Sequence, residues 1–194
     1  MIEDDYDAEY RYDRHPVGAL QGLAPERVIY SGTLSKSLAP GLRLGWLVVP
    51  AALTDAIADA RHRVDHATAS LPQAAAAAFL SEGDLDRHLR RTRRIYRERR
   101  DALIDALARW LPDATASGVA AGLQVLVTLP EGVDEAAVAD RALAAGVRVY
   151  PLLPYRASSD PAHPPALVLG YGTLTPAASE QGVRLLAEVV NELR

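Results

Sequence analysis

The chain alternates short runs of β-branched and aromatic residues with longer stretches whose apolar residues recur every three or four positions. The runs RVIYSG, at 27–32, and RLGWLVVP, at 43–50, predict strands. Residues 51–65 follow with helical spacing, which predicts a helix. The opening residues 1–10, MIEDDYDAEY, have the pattern of the end of a buried strand with acidic residues at its carboxyl edge. This first part therefore predicts a piece of an α/β sheet.

The middle of the chain is predicted to be helical. Five consecutive alanines at 74–78 favour a helix. A longer helix is predicted over 84–110, because its large apolar residues keep the spacing of one face. The residues of that face are Leu85, Leu89, Tyr96, Leu103, Leu107 and Trp110.

The last part alternates again between strands and helices. Strands are predicted at 122–130, 147–155 and 166–174, and helices at 134–146 and 175–193. Thr175 is placed as the N-cap of the closing helix, with Pro176 in its first turn. This order predicts a small α+β layer. We divide the chain into a partial large domain over 1–75, connecting helices over 76–107 and a small α+β domain over 108–194.

Composition narrows the classes of function. Of the 194 residues, 49% are hydrophobic and 24% are charged, so the chain can bury a sizeable core. The net charge of -4 gives no reason to expect nucleic acid as a partner of the chain itself. Cysteine is absent from the sequence, which excludes disulfides and fits a cytoplasmic protein. No run approaches the roughly 18 apolar residues that a membrane span needs.

One lysine, Lys36, stands among 21 basic residues, in the stretch SGTLSKSLAPGLRLGW at 31–46. Lysine forms Schiff bases, and arginine does not. The commonest role of such a residue is a solvated loop lysine. Small hydroxyl residues surround Lys36, however, and Arg43 follows a Pro-Gly turn; hydroxyls, backbone amides and a guanidinium together suit a phosphate.

An acidic cluster, Glu3, Asp4 and Asp5, ends the first predicted strand. Ligand sites in open α/β sheets lie at the carboxyl ends of strands. An amine, a carboxylate and a phosphate anchor therefore meet at one edge, which is the set that pyridoxal phosphate chemistry requires. The residues alone leave open which of the three acids takes part.

Three stretches of the sequence carry a family resemblance: IEDDYDAEYRY, VIYSGTLSKSLAPGLRLGW and RRTRRIYRERRDAL. They closely resemble the aminotransferase-like domain of MocR-type regulators, which belong to the GntR superfamily of bacterial transcription factors. That domain is similar to fold-type I, class I/II aminotransferases. The resemblance implies the C-terminal half of a large pyridoxal-phosphate-dependent transferase domain, with a mixed, mostly parallel sheet, plus a small α+β C-terminal domain. It also implies that DNA is bound only through an N-terminal domain absent from this chain.

The resemblance assigns roles to the residues around the predicted cofactor, pyridoxal 5'-phosphate. Lys36 matches the catalytic Schiff-base lysine. Asp4 matches the aspartate that pairs with the pyridine nitrogen, and Tyr6 matches the tyrosine at the ring hydroxyl.

The phosphate is assigned in the same way. Arg43 matches the phosphate arginine, Thr33 the phosphate-binding hydroxyl, and Ser35 is a weaker candidate for the same group. One departure concerns the substrate: Val168 stands where many aminotransferases have an arginine that binds the α-carboxylate. A valine cannot form that bidentate pair.

Three functions follow as alternatives. The first is a truncated effector domain of a transcriptional regulator that senses an amino acid or amine through a Lys36 aldimine, with a homodimer as the family expectation. The second is an active class I/II aminotransferase, which the departure at Val168 disfavours. The third is a cofactor-free remnant that acts as an interaction module.

Other polar features have simpler interpretations. The eight arginines of residues 87–100 suggest a nucleic-acid stripe, but acidic residues at i,i+4-type spacing favour a solvated helix face. His62 and His66 are interpreted as a surface pair, so no metal site is predicted. The segment Gly170–Gly172 is interpreted as a strand bend.

Overall fold

The computed structural model describes residues 1–12, 18–157 and 163–194. The chain forms two compact units, Met1–Thr92 and Arg93–Arg194, which we call unit 1 and unit 2. Each unit contains its own sheet. The finer three-part division at 75/76 and 107/108 stays a prediction.

Unit 1 is built on a three-stranded sheet in the order β1-β2-β3: β1 (Ile2–Asp4), β2 (Ile29–Thr33) and β3 (Gly45–Val48). Strand β1 runs parallel to β2, and β3 runs antiparallel to it, so the sheet is mixed, as predicted. The expectation that the first strand is buried is wrong. Ile2 is 72% exposed, and β1 pairs only with β2 in the described part of the chain.

The helices of unit 1 are α1 (Leu20–Leu23), α2 (Thr54–Asp65), α3 (Ser70–Ser81) and the first turns of α4 (Asp84–Trp110). The predicted boundaries of α4 are confirmed. Neither α2 nor α3 contains a buried residue. The buried apolar side chains of unit 1 include Tyr10, Tyr12, Val28, Leu34 and Leu89.

Unit 2 contains a four-stranded antiparallel sheet in the order β4-β5-β7-β6. Its strands are β4 (Thr115–Ser117), β5 (Gln124–Thr128), β6 (Tyr150–Pro151) and β7 (Ala166–Gly170), and its helices after α4 are α5 (Glu135–Ala144) and α6 (Pro176–Glu192). This is the predicted small α+β layer. Strand β4 was not predicted, because its three residues, TAS, carry no hydrophobic alternation.

The core of unit 2 follows the two-residue period of its central strands. Val125, Val127, Leu167 and Leu169 are buried, whereas the residues between them are half-buried. The N-cap prediction is confirmed, since the Thr175 hydroxyl accepts a hydrogen bond from a backbone amide of the first turn of α6 at 3.2 Å. This pattern places the core between the sheet and its helices.

The arginine-rich segment of α4 is largely paired within the protein. Arg94 lies 3.9 Å from Glu98, and the buried Arg100 donates to the Asp101 carboxylate and, at 2.8 Å, to the Val119 carbonyl. These contacts agree with a protein-facing and solvated helix rather than an open basic stripe.

Candidate functional site

Lys36 lies on a short turn directly after β2. The amides of Leu38 and Ala39 both donate to the Leu34 carbonyl, at 2.9 and 3.2 Å. Leu34 and Ser37 are buried, whereas Lys36 is exposed. The amine is therefore presented to solvent by a turn whose neighbouring residues are fixed in the protein.

The carboxyl ends of β1 and β2 meet beside this turn. Asp4 pairs in register with Ser31, and the next amide, that of Asp5, donates to the Ser31 carbonyl at 2.9 Å. Strand β3 begins at the same edge, because the Leu34 amide donates to the Leu44 carbonyl at 3.0 Å. Arg43 immediately precedes Leu44. The structure thus brings Asp4, Lys36 and Arg43 to one edge of the sheet.

The three acids of β1 and its end have different surroundings. Glu3 accepts hydrogen bonds from the first two backbone amides of α1, at 2.9 and 3.0 Å. Asp5 accepts one from the Tyr30 hydroxyl at 3.3 Å. Asp4 is exposed, and among the described residues its carboxylate has no hydrogen bond or ion pair. Of the three, Asp4 is the carboxylate that is available to a ligand.

Tyr6 lies beside two negative charges. The pKa of its phenol is raised above the usual 10.0, first by the charge of Asp7, then by burial and by Asp4. The phenol therefore stays protonated at neutral pH and can donate a hydrogen bond.

Asp7 is a half-buried acid that sequence reasoning missed. Burial and the charge of Asp5 raise the pKa of its carboxyl, whereas Arg11 and Lys36 act to lower it. Asp7 thus interacts electrostatically with both Tyr6 and Lys36. In the sequence it is one of several acids in a row, and nothing distinguishes it there.

The two hydroxyl groups next to Lys36, those of Thr33 and Ser35, are hydrogen-bonded to each other. Thr33 Oγ1 accepts from the Ser35 amide at 3.1 Å, and its single proton points to Ser35 Oγ at 3.0 Å or to the Leu44 carbonyl at 3.2 Å. The Thr33 proton is therefore used within the protein. The Ser35 proton can bond Thr33 Oγ1 when Thr33 donates to the Leu44 carbonyl, and it is available to a ligand when Thr33 donates to Ser35 Oγ.

Arg43 ends the short 3₁₀ turn Pro40–Leu42 in the left-handed backbone region, with φ of 49°. Its side chain is exposed, and the described part of the chain offers it no acidic partner within ion-pair distance. A free guanidinium at the sheet edge is suited to a phosphate. The groups at this edge, an amine, a carboxylate, a hydroxyl and a guanidinium, are of the chemical types that bind pyridoxal phosphate.

A small cavity of about 40 Å³ lies behind these residues, lined partly by Tyr6, Thr33, Ser37 and Trp46. It has room for about one water. A Cβ on Gly32 would lie 2.4 Å from the Trp46 indole, so a glycine is needed there for the ring to lie across β2. A cofactor-sized ligand would therefore bind at the open edge, not in this cavity.

Two further residues missed by sequence reasoning hold the turn. The Ser37 carbonyl accepts a hydrogen bond from the Tyr10 hydroxyl at 3.3 Å and lies 2.8 Å from His88 Nε2. His88 is 51 residues away from Ser37 in sequence. The sequence shows only a histidine one turn inside a helix, with no indication of the carbonyl that it meets.

The contacts that the histidine pair, the GYG segment and Val168 make in the described residues indicate no catalytic or metal-binding role. His62 and His66 have ring centroids 5.6 Å apart on an exposed helix end, and no group of metal-ligating side chains occurs in the ranges that the structure describes. Tyr171 of the GYG segment is buried and donates to the Gly122 carbonyl at 2.5 Å. Val168 lies at the centre of β7, opposite Leu126 and Tyr150.

The chain thus consists of an α/β unit with an exposed lysine turn at its sheet edge, followed by a small α+β unit. The family model for "Aminotransferase class I and II" matches residues 8–163. The chain belongs to the aminotransferase class I and II family. This confirms the predicted family and fold.

Individual relatives include both regulators and enzymes. The chain is 37% identical over 188 residues to the probable rhizopine catabolism regulatory protein MocR of Rhizobium meliloti, covering 96% of this chain and 38% of the relative. The multiple substrate aminotransferase of Thermococcus profundus superposes with a TM-score of 0.91 at 33% identity, over 98% of this chain and 47% of that one.

A third relative contains a cofactor derivative. LysN, the α-aminoadipate aminotransferase of Thermus thermophilus, was solved in complex with N-(5'-phosphopyridoxyl)-L-leucine; it superposes at TM-score 0.89 and 31% identity over 99% of this chain and 50% of that one. The chain spans at most half the length of these three proteins. No helix in the described ranges is long and apolar enough to cross a membrane.

Proposed function

We propose that the edge formed by Asp4, Lys36 and Arg43 binds pyridoxal 5'-phosphate, and that the chain is an effector domain of a bacterial transcriptional regulator. In this proposal the domain responds to an amino acid or amine. The regulator function is supported by the similarity to MocR of Rhizobium meliloti. DNA would be contacted through another domain of the whole regulator, and the functional unit would be a homodimer.

The proposed roles follow from what each side chain offers. When bound, the cofactor supplies an electrophilic carbonyl and a ring that withdraws electrons. Lys36 provides the exposed amine for that carbonyl. Asp4 provides a carboxylate for the protonated pyridine nitrogen, and Tyr6 a protonated phenol for the ring hydroxyl. Arg43 provides a guanidinium for the phosphate, and the hydroxyl pair Thr33 and Ser35 provides a hydroxyl donor for it.

The observation that carries the proposal is the position of Lys36. The single lysine of the chain is exposed on a turn fixed by buried neighbours, and a carboxylate and a guanidinium that lack partners in the described part lie at the same sheet edge. A solvated loop lysine has no need of such surroundings. The phosphopyridoxyl ligand in the similar LysN structure supports the same cofactor.

A second candidate function is transamination. It is favoured by the similarity to the aminotransferase of Thermococcus profundus. Val168 argues against the ordinary reaction of an α-amino acid, because a valine at the centre of β7 offers no cation to a carboxylate. A sensor domain needs binding and a conformational response, but no turnover.

The proposal is tested by covalent trapping. The purified chain is mixed with pyridoxal phosphate, reduced with borohydride, digested and analysed by mass spectrometry. We expect the cofactor on Lys36 in the wild type and none at residue 36 in Lys36→Arg, which keeps the positive charge but cannot form a Schiff base. An unmodified Lys36 in the wild type would contradict the proposal and favour the interaction module.

A separate portion of the chain with pyridoxal phosphate, neither reduced nor digested, distinguishes a sensor from an enzyme. Amino acids and amines are added one at a time, and the absorbance spectrum and the cofactor chemistry are followed. A change in the spectrum without net conversion to the amine form of the cofactor supports the effector domain. Net conversion supports an aminotransferase.

A further inference from the structure

One backbone carbonyl of the turn that carries Lys36, that of Ser37, contacts two side chains from outside the turn. The Ser37 carbonyl oxygen lies 3.3 Å from the Tyr10 hydroxyl and 2.8 Å from His88 Nε2. Ser37 is 6% exposed and Tyr10 is fully buried. The residue directly after the lysine is therefore fixed by two groups from distant parts of unit 1.

The geometry determines where the His88 proton lies. A carbonyl oxygen accepts hydrogen bonds and cannot donate, so Nε2 must carry a hydrogen. Only the Nε2–H tautomer or the imidazolium meets that requirement. The 2.8 Å separation is at the short end for an N–H···O bond, whereas the Tyr10 contact is long for a hydroxyl donor. His88 is the better-placed of the two donors.

His88 is itself fixed by its neighbours. It lies one turn inside α4, where Leu85 and Leu89 line the small cavity together with Tyr6 and Thr33. The Phe79 ring of α3 packs against the imidazole edge to face, with centroids 6.4 Å apart. The histidine thus connects helix α4 to the lysine turn through one directional bond.

We propose that His88 is a positioning residue for Lys36: its Nε2–H fixes the Ser37 carbonyl and thereby the turn that directs the lysine amine towards the cofactor. This inference rests on the proposed function. His88 does not touch the amine, so its effect is on the geometry of the turn. Without the bond, the turn samples other conformations, and only a fraction of the molecules presents the amine correctly.

The test compares three variants of the full chain. His88→Phe keeps a planar ring against Phe79 and removes the donor. His88→Gln restores an N–H donor and serves as the rescue variant. His62→Phe makes the same chemical change at an exposed histidine of α2 and is the matched control.

The first readout is amide hydrogen exchange without cofactor. In His88→Phe we expect the amides of Leu38 and Ala39 to exchange about three to ten times faster, corresponding to the loss of one hydrogen bond. We expect His88→Gln and His62→Phe to stay within about twofold of the wild type. Unchanged protection of the paired amides of β2 and β3, which lie in unit 1, shows that this unit is folded in the variant.

The second readout is the affinity for pyridoxal phosphate, which we expect to weaken by about three- to tenfold in His88→Phe and to recover in His88→Gln. Wild-type exchange rates in His88→Phe would overturn the inference. A folded His88→Gln that behaves like His88→Phe would overturn it too. A wild type that does not bind the cofactor would contradict the proposed function, whereas the exchange rates would still decide whether His88 holds the turn.

Discussion

Unit 1 and unit 2 differ in how they bury apolar surface. Among the described residues, most of the buried apolar side chains belong to unit 2, and most of the large exposed ones belong to unit 1. Leu167 of unit 2 is fully buried at the centre of its sheet, whereas Leu71 of unit 1 is 79% exposed on α3. The unit with the candidate chemistry is thus the one with the smaller core.

This difference shows which unit can maintain its own structure. Burial of apolar surface is the main favourable term in folding. In unit 2, α5 packs against β6, β7 and α6, and both helices bury residues, whereas α2 and α3 of unit 1 bury none of theirs. The precision of the lysine turn in unit 1 therefore depends on directional hydrogen bonds more than on a packed core.

The largest expected effect is the difference in the free energy of unfolding between alanine variants of Leu167 and Leu71. Leu167→Ala removes a fully buried side chain, and we expect a loss of about 2–5 kcal/mol in the free energy of unfolding. Leu71→Ala should change it by no more than about 0.5 kcal/mol. Urea unfolding is followed in each unit: Trp110 fluorescence in a Trp46→Phe background reports on unit 2, and Trp46 fluorescence in a Trp110→Phe background reports on unit 1. Equal losses in the two variants would contradict the contrast.

A second prediction compares two glutamates that each accept hydrogen bonds from two backbone amides. Glu135 of unit 2 is buried and accepts from the Ala166 amide at 2.6 Å and from the Leu153 amide. Its removal leaves a buried amide unpaired, so we expect Glu135→Ala to cost about 1–3 kcal/mol.

The matched variant is Glu3→Ala in unit 1. Glu3 also accepts from two backbone amides, but these lie at the start of the four-residue helix α1, where water can replace the carboxylate. We expect a loss of at most about 0.5 kcal/mol. The comparison is made by urea unfolding. A larger loss for Glu3→Ala than for Glu135→Ala would show that unit 1 has the more tightly coupled polar contacts.

Much of the fold was predictable because its signals are local. The spacing of apolar residues places α4 at Asp84–Trp110, and Thr175 with Pro176 marks the start of α6. Strand β4 was missed, because it is defined by pairing with β5 and not by its own residues. Exposure of β1 was missed as well, since burial depends on what packs against a strand.

The candidate site was predictable only in part. The unique lysine and its hydroxyl neighbours are visible in the sequence, and the resemblance assigns the ring and phosphate partners. The roles of Asp7 and His88 depend on contacts that the fold creates, one of them over 51 residues. The use of the Thr33 proton within the protein also depends on the fold, because it requires the position of the Leu44 carbonyl.

The smallest expected effect is on the pH dependence of the free energy of unfolding, through Asp7 of unit 1. Burial, followed by the charge of Asp5, raises the pKa of Asp7 above its ordinary value of 3.8. A carboxyl whose pKa is raised by folding favours the folded state when protonated. Its contribution is fully present below the unfolded pKa and is lost as pH rises through the folded pKa. At neutral pH the ionised Asp7 therefore costs stability.

Asp7→Asn removes that cost because the amide is neutral at every pH. We expect the variant to be more stable than the wild type at neutral pH, with the difference shrinking as the pH falls through the folded pKa and gone below the unfolded pKa. Urea unfolding at a series of pH values measures it, and Asp59→Asn on exposed α2 is the control for loss of one negative charge. A gain that is equal at all pH values would show that Asp7 acts by shape and not by charge. A gain in stability that vanishes in acid would show that unit 1 keeps an unfavourable negative charge at Asp7. Unit 2 differs, because its buried Glu135 accepts hydrogen bonds from two backbone amides.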